Sequence, residues 1–97
     1  MAWTRKPQKQ VGKYYFNGTF YLTAGVKQAL SEEEIKAIYN DVQAFVKGKD
    51  GIDYLQVFTN EKGDKLFFID QLDKTMIESG EYPSDFNHCT LMFAHEY

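Results

Sequence analysis

The residues best equipped for chemistry are Asp70, Asp73, Asp85 and His88, which follow one another within the stretch FFIDQLDKTMIESGEYPSDFNH. Carboxylates beside an imidazole can hold Mg²⁺ and cleave a phosphodiester, provided that their oxygens converge and a positive path delivers the substrate. An acid in an apolar run such as FFIDQLD either reaches a sheet end, pairs with a base, or works with a raised pKa. No diagnostic spacing marks these four as a catalytic set, and capping or loop-ordering by Asp70 and Asp73 is the simpler expectation. His88, Cys89 and His95 raise a second possibility, zinc, which needs ligands converging from compatible directions. On a strand His88 and Cys89 point to opposite faces, and His95 lies about 20 Å along from His88. The CxxC, HxxxH and HExxH spacings do not occur, so neither a metal nor another cofactor is expected. Cys89, the only cysteine, reads as a buried packing residue rather than a nucleophile.

The second group is basic. Arg5, Lys6, Lys9 and Lys13 alternate with Trp3, Tyr14, Tyr15 and Phe16, the combination of cations and rings that grips single-stranded nucleic acid. So few charges give weak, salt-sensitive binding. With Pro7, Gly12 and no period, residues 1–13 read as a flexible arm. The first thirty residues hold five bases and no acid. The remainder holds six lysines and fourteen acids, for a net charge of −3. That asymmetry suits a nucleic-acid or protein partner, or simply a solvated surface.

These groups must be positioned by a few elements. SEEEIKAIYNDVQAFVKG predicts a helix over 32–47: Ser31 and Glu34 form a capping box, and Ile35, Ile38, Val42, Phe45 and Val46 share one face. Gly48 suits the left-handed residue that closes it. Asn17-Gly18 is a two-residue hairpin signal, so 14–16 and 19–23 are expected to pair, or 19–23 alone to form a strand. DYLQVFTNEKGDKLFFIDQL predicts a central hairpin of 54–59 and 66–72 around Gly63. Leu55 and Val57 lie on one face, with Tyr54, Gln56 and Phe58 on the other. Asp73 is expected to cap a helical turn ending at Gly80, and HCTLMFAH to close the chain as a strand whose Cys89, Leu91, Phe93 and His95 share a face. The order β-α-β-β-β is an α+β domain, a small, mainly antiparallel sheet with one main amphipathic helix, over residues 14–97.

Ninety-seven residues fit one domain. No apolar run approaches the ~18–20 residues that cross a bilayer, and no hydrophobic stretch follows the N-terminal charges. A cytoplasmic protein with no membrane partner is expected.

YLTAGVKQAL, FFIDQLDKTMIESGEYPSD and TLMFAHEY together resemble a family of short bacterial, plasmid and phage-type proteins known only as a domain of unknown function. The likeness spans residues 20–97 and rests on Thr23, Gly25 and Val26; Ile69, Asp70 and Asp73; Gly80, Pro83 and Asp85; and Thr90, Leu91, Met92, Ala94, Glu96 and Tyr97. In GEYPSD, Glu81 and Tyr82 depart from that family's Gly-Ser-x-Asp-Pro turn. The resemblance implies a mobile-element protein but carries no activity. Small proteins of such elements often block a host defence or nucleic-acid-handling enzyme, in antirestriction or anti-CRISPR roles. The expectation is therefore a non-enzymatic module that binds a host protein, or a second copy of itself. Its binding surface would be the acidic helix face (Glu32, Glu33, Glu34, Asp41) or the sheet face bearing Tyr54, Gln56 and Phe58. The alternative is a nucleic-acid binder using the arm, or a carboxylate-based hydrolase or nuclease using Asp70, Asp73, Asp85 and His88.

Overall fold

A computed structural model describes residues 3–97. Its elements run β1 (Thr4–Arg5), β2 (Thr19–Leu22), α1 (Ala24–Ala29), α2 (Glu32–Lys49), β3 (Leu55–Thr59), β4 (Lys65–Asp70), α3 (Lys74–Ser79) and β5 (His88–Phe93), with 3₁₀ turns at Ser84–Phe86 and Ala94–Glu96. The five strands form one sheet in the order β1-β3-β4-β5-β2. All neighbours are antiparallel except β2 and β5, which are parallel. This is the expected α+β class, with α2 as its one long helix.

Local chemistry explains the main elements. Ser31 Oγ accepts from Glu34 N–H, and Glu34 returns a carboxylate oxygen to Ser31 N–H, which closes the capping box. The predicted stripe faces inward: Ile38, Val42 and Val46 are buried, and Ile35 and Phe45 pack at the margin. α2 outruns its expected end. Gly48 is helical, and Asp50 (φ 54°) and Gly51 (φ 104°) supply the left-handed turn in its place. The β3–β4 hairpin turns at Gly63 (φ 83°). Asp73 caps α3 by accepting from Met76 N–H at 2.9 Å, and α3 ends at left-handed Gly80. The core joins Val26 of α1 and the α2 stripe to Phe58, Leu66, Phe68, Cys89 and Leu91 of the sheet.

Of the two readings of Asn17-Gly18 the second holds: there is no hairpin, Thr19–Leu22 alone is a strand, and Tyr14 bridges Ile52. The positive φ falls on Phe16 (φ 51°), not on Gly18. Gly18 is required because a side chain there would overlap the backbone of Asn87, beside which β2 must pass to reach β5. The expectations for the N-terminal arm and for His95 are corrected. Residues 3–13 do not hang free. Thr4–Arg5 pairs with β3, and Lys6 N–H donates to Val57 at 2.8 Å, because the outer edge of β3 offers donors and acceptors that need partners. Finally, β5 stops at Phe93, so His95 leaves the strand face and stacks on the Phe93 ring instead.

Two glycines should respond oppositely to alanine. Gly48 lies inside α2 with nothing within 4 Å of an added Cβ, so Gly48→Ala should stabilise by about 0.5–1 kcal/mol. Gly18→Ala should destabilise by about 1–3 kcal/mol through overpacking. Paired thermal melts check both signs, and a neutral Gly18→Ala would show that β2 can shift off β5 without penalty.

Candidate functional site

Asp70 ends β4 and points into the core, 2% exposed. Strand alternation puts it there: Leu66, Phe68 and Asp70 face inward while Phe67 and Ile69 face outward. One carboxylate oxygen accepts from Phe16 N–H at 2.9 Å and the other from Gln71 N–H at 3.0 Å. Burial raises its pKa from 3.8 to about 6, against the opposing pull of those N–H groups and of His88. Phe16 is held from its other side too, its carbonyl accepting from Gln43 Nε2 at 2.6 Å. Asp70 therefore clamps a left-handed, fully buried Phe16 to the sheet.

The remaining acid-and-histidine set does not gather around it. His88 lies one residue before Cys89, the register partner of Asp70, and so faces the opposite side of the sheet, edge-on to Tyr21 at 5.4 Å. Asp73 is engaged as the α3 cap, and Asp85 is exposed on a 3₁₀ turn. Among the described residues no three His, Cys, Asp or Glu side chains are grouped to hold a metal ion. Burial pushes the Cys89 thiol up to about 12, with Asp70 adding to the rise, which withholds the thiolate that a nucleophile needs.

The arm and the acidic helix face, each expected to meet a partner, meet one another. Trp3 Nε1 donates to Glu34 at 3.0 Å, and Arg5 Nε donates to Asp41 at 2.8 Å while its guanidinium lies 3.7 Å over the Phe45 ring. Backbone donation from Ser31, with the Trp3 indole, lowers the Glu34 pKa. Lys13 Nζ donates to the Asp50 carbonyl at 3.1 Å. Glu32, Glu33, Lys6 and Lys9 are exposed, as are Asp41 and Lys13 despite these contacts. A groove of about 470 Å³ lies between arm and helix, lined by Trp3, Arg5, Glu34, Ile38, Asp41 and Phe58.

The sheet face expected to be open is the closed one. Gln56 and Phe58 are 0% and 2% exposed, and only Tyr54, just before β3, is exposed. Gln56 is admitted to the interior because its amide donates to Gln10 Oε1 at 2.9 Å and to the Asp53 carbonyl at 3.0 Å. The more open face is the reverse one, where Tyr97 stands edge-on to Phe67 at 5.7 Å. It carries two cross-strand rows, Val57–Phe67–Met92 and Leu55–Ile69–Thr90, with Tyr21 of β2 beside Thr90. These apolar side chains are half-buried, and none packs against the core. The second apolar face of FFID was the signal for this surface; its inward Gln56 disguised it.

The quoted motif residues at the two ends of the chain also touch. Glu96 accepts from Thr23 Oγ1 at 2.7 Å and from Phe93 N–H at 2.8 Å, and a Cβ on Gly25 would stand 2.7 Å from its carboxylate. These contacts lower the Glu96 pKa, the Phe93 N–H first and the Thr23 hydroxyl next. No protein-family model, curated protein or solved structure matches this chain. No helix among the described residues is long and apolar enough to cross a membrane.

The raised pKa of Asp70 has a definite sign. Between about pH 4 and 6 the folded protein holds a proton that the unfolded chain releases, so this group makes stability fall as pH rises through that window. The rise from 3.8 to about 6 corresponds to at most about 3 kcal/mol at ~1.4 kcal/mol per pKa unit. Asp70→Asn should flatten that slope. It should also leave one of the two backbone donors unpaired, at about 1–3 kcal/mol, so the gap to wild type is largest near pH 4 and narrows towards pH 7. Denaturant titrations across that range decide; parallel pH profiles for the two proteins would contradict the assignment.

Proposed function

We propose that this chain is a non-enzymatic protein-binding module that presents the more open face of its sheet to a host protein. One observation carries the reading: the rows Val57–Phe67–Met92 and Leu55–Ile69–Thr90 place apolar side chains on one face of three adjacent strands, and none of them packs against the core. A half-exposed apolar surface across three strands is the kind that marks interaction sites, and Phe67, edge-on to Tyr97 at 5.7 Å, is the ring we assign as its anchor. The direct nucleic-acid reading has less support, since Arg5 and Lys13 are held by Asp41 and Asp50. The nuclease reading has less support because Asp70 is enclosed and Asp73 is a cap. The resemblance of residues 20–97 to mobile-element proteins favours, as partner, a bacterial enzyme that handles nucleic acid or defends against it. Binding would block such an enzyme by covering its surface.

The test uses tagged wild-type and Phe67→Lys proteins, both checked for folding by circular dichroism, as baits in nuclease-treated bacterial lysate. Wild type should retain one protein in near-stoichiometric amount. Phe67→Lys should weaken that binding by at least about 30-fold, the equivalent of losing ~2 kcal/mol at a hot spot. Equal retention by both baits, or a signal that vanishes with nuclease, would exclude the more open face as the binding surface.

A further inference from the structure

The two edges of the sheet are finished differently. At one edge β1 is only two residues long and runs straight into Lys6 and Pro7. Short length, charge and proline are the devices that stop an edge from pairing with another chain. At the other edge β2, Thr19-Phe20-Tyr21-Leu22, has no charge and no proline, and among the described residues no strand lies beyond it. Its register shows which backbone groups are left over. Thr19 N–H donates to Asn87 and Thr23 N–H to Leu91, so the odd-numbered residues bond inward to β5. Phe20 and Leu22 therefore direct their N–H and C=O groups away from the sheet. The Tyr21 side chain stands half exposed on the more open face, while Phe20 is anchored beneath it at 4.8 Å from Tyr39 and 5.3 Å from Phe68.

We propose that two copies of this chain pair β2 against β2 across a two-fold axis, joining their sheets into one continuous sheet of twice the width. A two-fold axis makes the new ladder antiparallel and its contacts reciprocal. The outward groups of Phe20 then exchange hydrogen bonds with those of Leu22 in the second copy, and Leu22 does so with Phe20. Tyr21 falls at the centre, opposite its own counterpart in a non-hydrogen-bonded pair, where side chains approach most closely and aromatic pairs are favourable. The composition of the strand fits this occupant better than a foreign peptide. Under two-fold symmetry any charge near the centre meets its own sign, and β2 carries none. The pairing does not depend on the proposed host partner, although it would place the more open faces of the two copies side by side. An edge of four residues buries less than a standard interface, so a dissociation constant in the range of about 10–100 μM is expected.

Two measurements on the full chain test this. Sedimentation equilibrium from about 5 μM to 1 mM should move the mass from the 11.3 kDa monomer towards twice that value. Hydrogen exchange at the Phe20 and Leu22 amides should slow as concentration rises. Tyr21→Lys, which sets two cations face to face, should weaken association at least tenfold with unchanged circular dichroism, whereas Phe67→Lys should leave it intact. A monomer at the highest concentration overturns the proposal. So does a dimer that Tyr21→Lys leaves untouched, or one in which the Phe20 and Leu22 amides exchange as fast as in the monomer. If Tyr21→Lys does not fold, the wild-type amides decide alone.

Discussion

A carboxylate enclosed by apolar side chains must find hydrogen-bond donors, and Asp70 finds one on its own strand end and another on a segment 54 residues earlier in the chain. That second bond fixes the path of everything before β2. It holds Phe16 in a left-handed conformation that a large side chain adopts only when its surroundings enforce it. Gln43 of α2 grips the Phe16 carbonyl, so helix, loop and sheet meet at one residue. The ring of Phe16, edge-on to Phe68 at 4.8 Å, fills the floor of the core. From there Tyr14 pairs with Ile52, and residues 3–13 are led back along α2 to the edge of β3.

The charge asymmetry of the sequence takes on a structural meaning in this arrangement. The basic arm and the acidic helix are complementary surfaces of one molecule. Asp41 receives Arg5 and Glu34 receives Trp3, along a helix whose first turn is rich in acid. Exposed pairs of this sort add little stability singly. Here they align a strand of two residues that could not persist alone. The largest uncharged surfaces left over are a sheet face, met by Tyr97 at Phe67, and a sheet edge.

How much of this could be read from residues alone varied by element, for physical reasons. α2 was legible because its cap and its apolar stripe are local patterns that survive in any context. The β3–β4 hairpin was legible because Gly63 and the flanking alternation specify it within a short window. β1 was not, since Thr4-Arg5 has no pattern of its own and becomes a strand only through the waiting edge of β3. α1 was missed because six residues containing a glycine make a poor helix; the Thr23 cap and the Glu96 carboxylate, 73 residues from Thr23, support it. The inward and outward faces of β3 were exchanged because Gln56 looks solvent-facing until Gln10 and the Asp53 carbonyl receive its amide. The proposed binding surface was thus half legible: a second apolar face was evident, but which side it lay on was a matter of tertiary hydrogen bonding.

The parallel pairing of β2 with β5 bears on how the protein is made. Thr19 to Leu22 are synthesised early, yet their ladder partners are His88 to Leu91. Until the ribosome has delivered those residues, β2 has no neighbour and the far side of β4 is an open edge carrying Leu66 to Ile69. Loop closure over so long a span is slow, and a nascent chain with such an edge is open to chaperones and to aggregation. The sheet is therefore completed only when β5 enters between β4 and β2 and joins the two halves of the chain.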